Sequence, residues 1–145
     1  MKLSEQQKLS EQHANEMFAP MLSEGEESIC TVNCAVKTSN MRYDIHSLPF
    51  ACYASCTSSD RLLLAVFGAD IFEEYSVKAF EISLLKSLKI RKWLFGEYRI
   101  NAEFPLGNRS IGLEISISPK VYNGGFPNQG ENLEKMIEIL RKYEN

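Results

Sequence analysis

At 145 residues, 44% hydrophobic and 24% charged, the chain has the size of one domain and enough apolar mass for a core, which excludes a disordered polyelectrolyte. Its formal net charge of −3 argues against a dedicated nucleic-acid binder, which carries a strong basic bias. Residues 1–20 are polar and the longest apolar run, residues 62–67, stops at Gly68; no secretory signal or ~20-residue membrane span is read, and a cytoplasmic location is expected.

In chain order, Lys2-Leu3-Ser4-Glu5-Gln6 recurs as Lys8-Leu9-Ser10-Glu11-Gln12. A six-residue spacing does not keep Leu3 and Leu9 on one helix face. The Glu, Gln, Lys and Leu content still predicts a helix over residues 4–18, ended by Pro20 and anchored by Met17, Phe18, Met21 and Leu22. Residues 1–21 are thus expected to form a helical arm, and 22–145 the domain proper.

From Glu27 the period becomes two. Cys30, Val32, Cys34 and Val36 share one strand face; residues 38–49 read as a polar loop; Phe50, Cys52, Ala54 and Cys56 form the next apolar face. Ser58-Ser59-Asp60 is a turn signal, residues 61–67 read as a buried strand, and Gly68-Ala69-Asp70 closes it. Residues 74–80 are the fourth strand and 86–95 the fifth, around Leu88, Ile90 and Trp93, with a turn at Gly96. Tyr98, Ile100, Ala102 and Phe104 then alternate with polar neighbours, as do Ile111, Leu113, Ile115 and Ile117 after the turn at residues 105–108. Residues 119–130 read as a loop. Leu133, Met136, Ile137 and Leu140 fall at i, i+3, i+4, i+7, the stripe of a helix packed on a sheet. Seven one-faced strands and a helix predict a mainly β fold: a seven-stranded antiparallel barrel capped by a C-terminal helix, with an N-terminal accessory helix.

Three segments, in order, carry a family resemblance. Ser58-Ser59-Asp60-Arg61-Leu62-Leu63 resembles the Thr-x-x-Arg-Leu segment that opens the third strand of bacterial pleckstrin-homology-like and GRAM-type domains, with Ser58 in place of Thr. Residues 80–88, Phe-Glu-Ile-Ser-Leu-Leu-Lys-Ser-Leu, are similar to their Phe-Pro-x-Ser-x-Ile-x-Ser-Val segment, with Glu81 in place of Pro. Lys92-Trp93-Leu94-Phe95-Gly96 is similar to their Lys-Gly-x-Phe-Gly hairpin, with Trp93 in place of Gly. The resemblance spans residues 22–143. It implies a barrel that hosts lipid binding, peptide binding or assembly. Eukaryotic pleckstrin-homology domains often bind inositol phosphates through basic residues around the first hairpin, where this chain offers Lys37 and Arg42.

The pairs Cys30-x3-Cys34 and Cys52-x3-Cys56 suggest zinc, but i and i+4 on a strand lie about 13 Å apart, whereas two sulfurs on one zinc stand within about 4.6 Å. Buried core thiols are expected; a cross-strand disulfide or a metal are the alternatives. His13 lies in the arm, and His46, near Asp44, in the polar loop; neither has a nucleophile at a recognisable spacing, and both are read as solvent-exposed. Gly124-Gly125 precedes a helix, but with Phe126-Pro127 it reads as a flexible connector rather than an anion cradle. No catalytic residue, cofactor or metal site is assigned.

Lys86, Lys89, Arg91 and Lys92 form the densest basic cluster. Alternation sets Lys89, Arg91 and Trp93 on one face, opposite Leu88 and Ile90. The plain reading is a solvated outer face; the functional reading is an anion-attracting surface beside the only Trp, and the candidate interaction surface is Lys86, Lys89, Arg91, Lys92 and Trp93. A bulge turning Trp93 inward, or Met17 and Phe18 covering it, is the competing expectation. The expected function is a non-catalytic binding or assembly module for a protein partner, its own copies or an anionic lipid surface. The alternative is a small enzyme or ligand-binding barrel with a site in its mouth.

Overall fold

The computed structural model describes residues 9–39, 49–68, 77–121 and 124–145. Arg42, Asp44 and His46, most of the loop at 38–49, Ala69-Asp70, the start of the strand read at 74–80, and the first copy of the N-terminal repeat lie outside the described residues. The strands are β1 (Ser28–Thr38), β2 (Phe50–Thr57), β3 (Arg61–Val66), β4 (Val77–Glu81), β5 (Lys86–Lys92), β6 (Tyr98–Leu106) and β7 (Arg109–Ile117). Helix α1 (Glu11–Phe18) precedes them and α2 (Gln129–Arg141) follows.

All neighbouring strands are antiparallel, in the order β4-β3-β2-β1-β7-β6-β5. The sheet curls into a half-barrel, and Phe80 of β4 meets Phe104 of β6 edge-to-face at 4.9 Å across its concave side. Gly107 at φ 64° makes the tight β6–β7 connection, where Leu106 and Arg109 still pair. The fold is mainly β with a C-terminal and an N-terminal helix, and the curled sheet fits a pleckstrin-homology-like fold.

The concave face holds the main core. Cys30, Val32, Cys34 and Val36 of β1, Leu88 and Ile90 of β5 and the apolar alternation of β6 and β7 bury against Leu133, Met136, Ile137 and Leu140 of α2. A second core lies on the convex face. There Tyr53, Leu63, Ala65 and Phe67 meet Ala14 and Phe18 of α1 and Phe126, with Met17, Met21 and Leu22 packed around them. Strands β2 and β3 are therefore buried on both faces.

Three boundaries differ from the sequence reading. Helix α1 starts at Glu11, because Ser10 is extended (φ −154°, ψ 156°) and its Oγ accepts from the His13 N–H at 3.0 Å, an N-cap; residues 4–8 of the helix read from the sequence lie outside the described residues. Helix α2 starts at Gln129, inside the segment read as loop. Strand β5 stops at Lys92, and the chain turns through Leu94–Gly96 instead of continuing to Phe95.

Gln129 explains its own burial. Strands β1 and β7 pair only from Ala35↔Ser116 to Thr38↔Leu113. Nearer the start of β1, the Gln129 side chain fills the gap: Oε1 accepts from the Asn33 N–H at 3.0 Å, and Nε2 donates to the carbonyls of Asn33 (2.8 Å) and Ser118 (2.9 Å). Asn132 Nδ2 donates to the Thr31 carbonyl and to Glu11 Oε1, each at 2.9 Å, tying both helices to β1. Among the described residues no helix is long and apolar enough to cross a membrane.

Candidate functional site

Strand β5 is an edge strand, and its alternation decides what faces solvent. Leu88 and Ile90 point into the core; Lys89 and Arg91 point out. Ser87 at φ 55° marks a bulge between the pairs Lys86↔Glu103 and Lys89↔Asn101. Lys86 consequently stands at the far end of the strand, opposite Glu103, lining an open groove of about 450 Å³ with Leu84 and Arg109. Lys89 and Arg91 share the outer face, with Lys92 and Trp93 at the end of the strand; Lys86 lies at the other end, beyond the bulge and about 20 Å from Lys92 along the strand.

The hairpin adds Arg99. Arg91 pairs directly with Arg99 on β6, and the Arg99 guanidinium stacks 4.3 Å from the centroid of the Trp93 ring. Arg99 Nε lies 3.5 Å from Glu97 Oε2. Lys92 is in the inward register but at the end of the core, and its Nζ sits 5.6 Å over the Tyr98 ring. Among the described residues Lys89 and Arg91 have no ion-pair partner. Like charges directly opposite on antiparallel strands repel; Glu97 offsets Arg99, while Lys89 and Arg91 are left without a counter-charge among the described residues. Arg99 was missed in the sequence because only the strand register places it beside Arg91.

Beyond Lys92 the chain makes an apolar tip. Trp93 is 44% exposed, Leu94 66% and Phe95 97%. The turn is fixed at both ends: the Trp93 N–H donates to the Glu97 carbonyl at 2.6 Å, and a Cβ on Gly96 (φ 79°) would meet the Pro119 ring at 3.3 Å. Phe95 occupies the left-handed region at φ 59°, uncommon for a bulky side chain. Met17 and Phe18 do not cover Trp93; they pack in the convex-face core.

The remaining sequence candidates take structural places. Cys30 stands opposite Cys56 and Cys34 opposite Cys52 across β1 and β2, all four buried with free thiols. Burial pushes the Cys34 thiol well up, and a hydrogen bond with Cys30 together with burial does the same to Cys56, so these two are protonated and unreactive. His13 is half-buried rather than solvent-exposed: its Nδ1 lies 2.9 Å from the Tyr53 hydroxyl. The segment at 124–127 is more than a connector, since Phe126 is buried beside Tyr53 and the Gly125 carbonyl accepts from the Glu11 N–H at 2.9 Å. Among the described residues no three His, Cys, Asp or Glu side chains cluster as metal ligands.

Arg61, part of the family-like segment, has a structural role. The buried Glu26 carboxylate accepts from Arg61 Nε at 3.0 Å, from Arg61 Nη2, from the Thr57 hydroxyl and from the Ser23 N–H at 2.9 Å. Arg61 Nη2 also donates to the Met21 carbonyl at 2.7 Å. The Arg61 hydrogen bonds lead in holding the Glu26 carboxyl down at about 2.

Comparison with known protein families and with curated proteins finds no match. Among solved structures the chain is similar to the hSac2 domain from the human phosphoinositide phosphatase Sac2, at 11% identity and a TM-score of 0.50, over 90% of this chain and 80% of that one. The likeness is one of fold.

Proposed function

We propose that the protein is a non-catalytic binding module of pleckstrin-homology-like fold that engages its partner through the outer face of β5 and the β5–β6 tip. The observation that carries this reading is the run of three exposed apolar side chains, Trp93, Leu94 and Phe95, beside Lys89 and Arg91, which have no ion-pair partner among the described residues. Exposed apolar clusters of this kind mark interaction sites, and Trp and Arg are the residue types enriched in binding hot spots. The concave side of the sheet is filled by Leu, Ile and Cys side chains and by α2, which favours a surface partner over a ligand in a barrel mouth. Buried free thiols fit a cytoplasmic location.

The test compares the intact chain with the double variant Leu94→Ser/Phe95→Ser in three assays: self-association by light scattering, capture of proteins from extract, and vesicle cosedimentation. The variant is expected to lose whichever association the intact chain shows. Association that survives the double substitution, or none in all three assays, overturns the reading.

A further inference from the structure

We infer that the partner of this surface is an anionic lipid bilayer, entered by the Trp93-Leu94-Phe95 tip while Lys89, Arg91 and Arg99 meet the headgroups. This rests on the β5–β6 surface being the docking face. The first support is area. A stable protein interface takes about 800 Å² from each partner. The three apolar side chains alone fall short of that, so a protein partner would also have to cover the basic face and desolvate Lys89 and Arg91, which have no ion-pair partner among the described residues. A bilayer has no such threshold: it accepts a small convex apolar wedge, and Trp settles at the level of its headgroups.

The second support is charge. Two copies meeting tip to tip around a two-fold axis would bring Lys89, Arg91 and Arg99 against the same residues, adding repulsion to the Arg91–Arg99 opposition already present. Lipid phosphates and carboxylates supply the missing anions, and guanidinium groups bind phosphate oxygens in pairs. The chain as a whole carries −3, so Lys89, Arg91 and Arg99 on one face, even with Glu97 beside Arg99, make it electrically lopsided and turn this end toward an anionic surface. Apolar insertion and basic attraction are each weak alone; together they hold a protein reversibly at a membrane.

The structural support is the geometry of the turn. Gly96 packs against Pro119 and the Trp93 N–H is tied to Glu97, so the tip is held in place and Phe95 is exposed by a fixed backbone. Arg99 stacks on one face of Trp93, which sets the cation beside the ring that would lie at the interface.

The experiment uses the full chain with vesicles of phosphatidylcholine alone and with roughly a third phosphatidylserine. Trp93 is the only Trp, so its fluorescence reports the tip without labelling. Expected are cosedimentation with the phosphatidylserine vesicles alone, a blue shift of Trp93 emission on binding, and loss of both when salt rises from about 0.1 M to about 0.5 M. Phe95→Ser and, separately, Lys89→Glu/Arg91→Glu should each weaken binding on the order of tenfold or more, with circular dichroism like that of the unaltered chain and no loss of thermal stability. Vesicle binding without a Trp93 shift, or unaltered by Leu94→Ser/Phe95→Ser, overturns bilayer entry by the tip. Tip-dependent self-association or protein capture without vesicle binding overturns the bilayer as partner and leaves the docking face standing. No tip-dependent association in any assay overturns both.

Discussion

The β2–β3 turn and the β5–β6 turn are built from similar parts. Each holds a non-glycine residue at positive φ, Asp60 at 54° and Phe95 at 59°, and each has an arginine nearby. At the first turn the charges are matched. Arg61 is locked to Glu26 and the Met21 carbonyl, the Glu26 carboxylate takes bonds from four donors, and Asp60 accepts from the Tyr143 hydroxyl after α2. At the second turn Arg91 faces Arg99, Lys89 has no partner among the described residues, and the left-handed residue is an exposed Phe rather than an Asp, which tolerates that conformation better. One turn ties together the segment after α1, the β2–β3 hairpin and the chain after α2. The other leaves Lys89 and Arg91 without ion-pair partners among the described residues and holds Phe95 exposed at positive φ, the features on which the proposed docking face rests.

Four measurements press on that contrast, beginning with the largest expected effect. Arg61→Met leaves the buried Glu26 carboxylate without its cation and should lower stability by about 3–5 kcal/mol in urea titration. A loss under about 1 kcal/mol would reduce the lock to an incidental surface pair. Acid tests the same lock from the other side. The Glu26 carboxyl is depressed to about 2 from 4.5 in the unfolded chain. Its contribution is therefore present above about pH 4.5 and lost as pH falls through 2; the expected size is on the order of 1–3 kcal/mol. Glu26→Gln should flatten the stability–pH curve in that window relative to the unaltered chain, and parallel curves would remove Glu26 as the cause.

At the second turn the effects shrink and one changes sign. Arg91→Glu turns a like-charge cross-strand pair into an opposite one and should stabilise the fold by about 0.5–1 kcal/mol while weakening membrane attachment. Destabilisation instead would mean that Arg91 holds the hairpin together. Phe95→Ser should move the urea midpoint by less than about 0.5 kcal/mol equivalent, since an exposed side chain has nothing to lose. A drop of 1 kcal/mol or more would give Phe95 a structural role and erase the difference between the two turns.

What could be read from the sequence followed from how many faces of an element are buried. Strands β6 and β7 and the α2 stripe each bury one face, so their periodicity showed both the element and the inward residues. The cysteine register on β1 and β2 was legible for the same reason. The convex-face core was not. Tyr53 and Phe126 are buried there because α1 lies over β2 and β3, a fact of tertiary placement that no local period records. Gln129 read as part of a loop because its three bonds depend on where β1 and β7 part. Alternation places Trp93 on the outer face with Lys89 and Arg91, whereas Leu94 and Phe95 read as the end of the same strand; the strand stops at Lys92, and both are exposed at its tip.

Gln129 has a consequence for how the molecule opens. Its side chain, not a strand, receives the Asn33 amide proton, so that amide is shielded only while α2 is docked. In a deuterium-exchange time course Asn33 should trade its proton at the rate at which the helix detaches, together with the amides of α2, and not at the rate of fraying from the start of β1. The Asn33 amide would then belong to the opening unit of α2 rather than to that of its own strand, a single residue reporting on the joint between helix and sheet.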